Sequence, residues 1–336
     1  MSAALTPAHQ HLSALRGEAL LNLPDWSGVR RVNLDGLGLR ALPEREAAPD
    51  LTVFSVYDNA LTGVPDWVWT RRGLRTLNLS ANRLTALPAA LGDLRELRML
   101  DLGHNELAAL PDVFGGLDRL AFLYLSHNRL TALPESLRHL GALTYLNVTD
   151  NALTRLPGWM GELRALTELR LYGNPLEALP DELGALDALR ELHVMNARLT
   201  GLPASLGRCG ALEVLDLQGN ALTALPDSLG QLARLTTLNL RFNALTHLPG
   251  TLGDLRALQT LDLRNSTCAG TASSACRPPS TRWSRGAVRC TCKGCELWTL
   301  NDLLRARSSP PLTYTGRSCR FLPGRSPVRS ARRVSG

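Results

Sequence analysis

Residues 74–88 read Leu-Arg-Thr-Leu-Asn-Leu-Ser-Ala-Asn-Arg-Leu-Thr-Ala-Leu-Pro. Within them the spacing Leu74, Leu77, Leu79, Asn82, Leu84, Leu87, Pro88 is met again 23 residues later as Leu97, Leu100, Leu102, Asn105, Leu107, Leu110, Pro111. Working outward, asparagine returns at 59, 82, 105, 128, 151 and 174, then at 220 and 243, always 23 residues or a multiple of it apart. Ala197 fills the one missing slot, and Leu37 holds the equivalent place near the start, one residue early. About eleven units begin near residues 29, 51, 74, 97, 120, 143, 166, 189, 212, 235 and 258, the last breaking off after Leu263. A fixed period of this length marks an array whose units stack on one another.

Local chemistry assigns each part of the unit. Leu-Xaa-Leu places both leucines on one face of a short strand, because side chains alternate with a period of two. The asparagine that follows has an amide able to satisfy backbone groups where the chain turns inward. Leu-Pro fixes φ and starts the return path. Ala89–Leu97 then carries leucines three apart, on one side of a short helical turn. Each unit holds about seven inward apolar side chains, each worth roughly 1.5–3 kcal/mol when fully buried. No unit can bury its set alone, so stability comes from stacking. The repeated Leu, Asn and Pro are therefore read as structural and not as site candidates.

At these residues the chain resembles the leucine-rich repeat family, over about residues 20–264. The form with LPxxLGxLxxL in its second half is similar to that of intracellular scaffold proteins, including those that bind small GTPases and phosphatases, and of many bacterial cytoplasmic repeat proteins. The resemblance implies an α/β fold, a curved right-handed solenoid (horseshoe) with a parallel sheet on its concave face. It also implies a non-catalytic scaffold that binds a protein partner there. Residues 1–28 read as an N-terminal cap, in which Leu20-Leu21-Asn22-Leu23-Pro24 repeats the end of a unit and Trp26 covers the core. Residues 29–264 are the repeat domain, and residues 265–336 are a tail of a different kind.

The formal charge of +7 conceals that difference. Residues 1–264 hold 24 Arg and 28 acids, whereas residues 265–336 hold 12 Arg and Lys293 against Glu296 and Asp302. Six of the seven cysteines lie in the tail, which is rich in Ser, Arg, Pro and Gly and has no period. Such a composition is expected to be disordered. Its onset inside a unit has the character of a changed reading frame. That leaves an alternative: a truncated or frameshifted fragment of a larger repeat protein once fused to an effector or enzyme domain. The tail's charge would attract nucleic acid only non-specifically. No apolar run approaches the ~20 residues that cross a bilayer. The start, with His9, His11, Arg16 and Glu18, lacks the apolar stretch of an export signal. A cytoplasmic monomer is the expectation.

Cys290, Cys292 and Cys295 form the one metal-like cluster, but Cys268, Cys276 and Cys319 sit at no zinc-site interval and the tail has no His. They read as unpaired thiols. No GxxxxGK[ST] loop is present. His104 and His127 share one position of adjacent units and could offer two donors, but they read as ordinary surface histidines. The expectation is no metal, no cofactor and no enzymatic activity.

What varies is the third, fifth, seventh and eighth residue of each unit, which point away from the core. Four of the five tyrosines fall there. The candidate partner-binding residues are Tyr57, Phe122, Tyr124, Tyr145, Arg170, Tyr172, His193 and Met195, densest in units five to eight, which also carry His127, Glu168 and Glu191. Flanking units hold smaller or polar groups such as Thr76, Ser80, Asp101, Gly103, Asp216 and Gln218. Aromatic and Arg side chains within a polar rim are the anatomy of a protein-binding site; aromatics also simply suit strands. Tyr145 and Tyr172, one repeat apart, are expected to dominate binding and, pointing to solvent, to matter little for stability. Trp67, Trp69 and Trp159 read as packing on the convex side.

Overall fold

The computed structural model describes residue 26, residues 28–43 and 49–266, and the backbone of residues 289–291. Eleven three-residue strands follow the eleven sequence units: β1 Arg31–Asn33, β2 Val53–Ser55, β3 Thr76–Asn78, β4 Met99–Asp101, β5 Phe122–Tyr124, β6 Tyr145–Asn147, β7 Glu168–Arg170, β8 Glu191–His193, β9 Val214–Asp216, β10 Thr237–Asn239 and β11 Thr260–Asp262. A twelfth, β12 Arg289–Thr291, pairs in parallel with β11. All twelve lie in one sheet in chain order. The rest of the tail from Thr267 onward lies outside the described residues, as does most of the expected N-terminal cap; Trp26, from that segment, is fully buried.

The register is set by the repeat. Leu77, Leu100 and Leu123 stand side by side on β3, β4 and β5, all fully buried, with more exposed residues before and after each. The return paths are mostly five-residue 3-10 turns such as Ala89–Asp93 and Asp181–Ala185. Each of these two follows a proline, Pro88 or Pro180, in extended geometry. Neighbouring turns approach closely: a Cβ on Gly207 would stand 2.2 Å from the Ser228 carbonyl oxygen, so glycine is required there.

In the second unit the return path is a four-residue helix, α1 Asp66–Trp69. The tryptophans of the return segments are packing residues, as their position implies. Trp67 and Trp69 are 6% and 2% exposed. Trp67 meets Trp26 and Phe54 edge-on at 5.7 and 5.5 Å between ring centroids. They belong to the core and present no aromatic surface on the convex side. Trp159 is partly buried against the same core.

The asparagines form the expected ladder. Asn82 Oδ1 accepts from Leu61 N–H at 3.0 Å, and its Nδ2 donates to the carbonyls of Val56 and Leu79 at 2.9 and 3.1 Å. Asn105, Asn128, Asn151 and Asn243 repeat the pattern and are buried. Where Ala197 interrupts it, Leu176 N–H turns to the Asn174 carbonyl at 2.8 Å, so the donor is not orphaned. The last unit also continues further than the sequence reading has it. Ser266 Oγ takes the asparagine slot and donates to the Leu240 carbonyl at 2.6 Å.

A further regularity is conformational. The eighth residue of the units turns left-handed, whether it is glycine (Gly36, Gly173, Gly219) or not (Asp58, Ala81, His104, His127, Asp150, Asn196, Phe242, Asn265). Non-glycine residues adopt that conformation at some cost, which the stacked neighbours offset.

Candidate functional site

Register places the variable residues in two rows on the outward face of the sheet. One row runs Met99, Phe122, Tyr145, Glu168, Glu191, Val214, and the other Asp101, Tyr124, Asn147, Arg170, His193, Asp216. Phe122, Tyr124 and Tyr145 form one aromatic group: Tyr124 and Tyr145 lie 4.8 Å apart between ring centroids, Phe122 and Tyr145 6.5 Å. Phe122 is 43% exposed, whereas Tyr124 and Tyr145 are half-buried by their neighbours. The Arg170 guanidinium stands 5.8 Å from the Tyr145 ring centroid and pairs through Nε with Glu168.

Next to that pair, His193 Nε2 lies 3.1 Å from Glu191 Oε2. One donor atom each from Glu168, Glu191 and His193 fall within 4.8 Å of one another, a mixed donor set that sequence spacing did not reveal. Arg170 already bears on Glu168, and its charge opposes a bare divalent ion at the same place. What the group offers most directly is a negative locus beside an aromatic surface.

Tyr172 and Met195 are half-buried just past β7 and β8, with Gly173 N–H donating to the Met195 carbonyl. The eight candidates are therefore not one cluster. Phe122, Tyr124, Tyr145 and Arg170 are in contact, His193 with Glu191 adjoins them across β7 and β8, and Tyr57 stands apart, 45% exposed, just past β2. His104 and His127 stack at 4.0 Å, and His127 Nε2 is 3.1 Å from Asp150 Oδ2.

The electrostatics of the face are legible in its side chains. Burial pushes the Tyr124 hydroxyl above the usual phenol range, and the carboxylates of Asp101 and Glu168 push it the same way. Burial likewise holds the Asp101 carboxyl above the usual carboxylate range, although the Gly103 N–H and the Ser80 hydroxyl both favour its charge. Asp101 and Asp216 also have a local role. Each accepts the backbone N–H two residues on, from Gly103 and Gln218, as Asn78, Asn147 and Asn239 do from Ser80, Thr149 and Arg241. Elsewhere, Cys209 is a buried thiol that donates to the Leu183 carbonyl, and burial pushes it up to about 11. That is the reverse of an activated nucleophile.

The leucine-rich repeat family matches residues 49–107 and 72–130, and the related leucine-rich repeat region matches residues 179–276. A leucine-rich repeat protein of Leptospira interrogans is 31% identical, with 72% of this chain and 68% of that one covered and a TM-score of 0.62. The chain belongs to the leucine-rich repeat family. The structure named as a TDR receptor is 28% identical over 72% of this chain, with a TM-score of 0.64. The ectodomain of the Arabidopsis thaliana receptor kinase GASSHO1/SCHENGEN3, in complex with Casparian strip integrity factor 2, is 30% identical over 70%, with a TM-score of 0.52. This chain spans 44% and 32% of the lengths of those two. The comparison with curated proteins returned no match. Fold and relatives together support a protein-interaction role. Among the described residues no helix is long and apolar enough to cross a membrane.

Proposed function

We propose that this protein is a non-catalytic binding module, and that a protein partner docks on the outward face of the sheet between β4 and β9. One observation carries the reading. Phe122, Tyr124 and Tyr145 form a contiguous, partly exposed aromatic surface continuous with Arg170, held by short strands whose central leucines are buried. Large aromatic and Arg side chains on a rigid support lose little conformational freedom on binding, and such residues dominate interface energetics. The Leptospira relative and the GASSHO1/SCHENGEN3 ectodomain share this fold, and the latter is in complex with Casparian strip integrity factor 2, which supports a protein-binding reading.

The test is capture of partners by the wild-type chain and by a Tyr145→Ala, Tyr172→Ala double variant, with circular dichroism to confirm folding. Loss of a hot-spot aromatic typically costs about 2 kcal/mol, roughly thirtyfold in Kd. A variant that folds and keeps every partner of the parent overturns the proposal for this face.

A further inference from the structure

The fold does not account for the charge on this face. Asp101 and Asp216 occupy a turn slot that needs only an oxygen acceptor, and Asn78, Asn147 and Asn239 supply one from the same slot on β3, β6 and β10. Glu168 and Glu191 are in no such turn; they stand side by side in the outward row of β7 and β8. All four are half-buried, where a carboxylate gives up part of its hydration. From β4 to β9 the two rows set these four carboxylates against one guanidinium, Arg170, which Glu168 already matches, and one imidazole, His193, beside Glu191. Asp101 adjoins Tyr124 on β5, Glu191 and Asp216 lie two and three strands beyond Tyr145 on β8 and β9, and the Tyr145 ring face already carries the Arg170 cation.

We infer that the segment docked on this face is an extended polypeptide carrying Arg or Lys side chains, its cations taken by Asp101 at one end and by Glu191 and Asp216 at the other. The inference rests on the reading given above and adds the chemistry of the partner. Charge complementarity argues for it: a half-buried negative surface is stabilised by a partner that restores the lost solvation, and an acidic partner would be rejected. Spacing refines it. Strands stand about 4.8 Å apart, so Asp101 on β4 and Glu191 on β8 are separated by about 19 Å, the length of about six extended residues. Two cationic side chains about six positions apart, with an apolar one between them over Phe122 and Tyr145, match the surface.

The experiment uses the full chain and fluorescein-labelled twelve-residue peptides in which two Arg flank a Leu-Tyr centre at spacings of four, six and eight, with Glu-for-Arg counterparts, read by fluorescence polarisation. The expected result is preferential binding of the Arg peptides, best at a spacing near six and weakening as NaCl is raised. An Asp101→Asn, Asp216→Asn, Glu191→Gln triple variant, which keeps the turn acceptors, should bind them about tenfold more weakly. Equal binding of Arg and Glu peptides, no binding of either, or an unchanged affinity in the triple variant overturns the inference. The two readings fail separately. If the Tyr145→Ala, Tyr172→Ala variant loses captured partners while the triple variant keeps them, the face is the binding surface and its charge is not the determinant.

Discussion

Phe54 in the second unit and Phe122 in the fifth are the same side chain placed on opposite sides of one sheet. Phe54 is the middle residue of β2 and fully buried, edge-on to Trp67, which α1 folds inward. Phe122 is the first residue of β5 and 43% exposed, in the group with Tyr145 and Tyr124. A shift of one position in a period of two separates core from surface. An aromatic on a strand of this array therefore carries no meaning by its type; its parity in the strand decides whether it packs in the core or lies on the outward face.

The sharpest way to break that comparison is to truncate both. Phe54→Ala should lose about 3–5 kcal/mol of stability, since it empties a core site. Phe122→Ala should lose under about 1 kcal/mol, in line with surface positions. Chemical denaturation of the two variants measures this directly, and comparable losses would mean that the outward aromatics are structural after all.

A second experiment addresses what the two regions share. Asn128 donates to the Leu102 and Leu125 carbonyls and accepts from Leu107 N–H in a buried site. Asn128→Ala should cost about 2 kcal/mol by leaving buried backbone groups unmet. Asn128→Ser should recover part of that, because Ser266 reaches the matching carbonyl from the same slot. Thermal melts that rank Ser no better than Ala would show that the end of the array is held in another way.

The smallest effect concerns charge. Burial raises the folded-state pKa of Asp101 above its unfolded value. A group shifted upward contributes stability that is present below the unfolded pKa and lost as pH rises through the folded one. At neutral pH the ionised carboxylate is therefore a net cost, which Asp101→Asn removes while keeping the turn bond to Gly103 N–H. The variant should melt about 1 °C higher at pH 7, with the difference shrinking towards pH 3. A lower melting temperature at pH 7 would assign the carboxylate a structural role and weaken the case that its charge serves a partner.

Much of this was legible in residues 74–88 and their echoes. Leucine spacing marks the strand, its buried face and the 23-residue stacking, because those follow from side-chain alternation and from one asparagine slot per unit. The outward rows holding Phe122, Tyr124, Tyr145 and Arg170 followed from the same count. The partners of the tryptophans did not. Residues 66–69 depart from the repeated turn, and only the helix they form shows that Trp67 reaches inward to Phe54.

By itself, then, the sequence determined the repeat, the inside and outside of each strand, and the candidate face, since each depends on periodicity within one chain segment. Tertiary structure alone decided how neighbours 23 residues apart meet: the stack of Tyr124 on Tyr145, Arg170 held between Tyr145 and Glu168, His193 against Glu191, and Ser266 completing the ladder. Those contacts arise from rotamers and backbone turns chosen jointly by adjacent units, and no single unit's spacing encodes that choice.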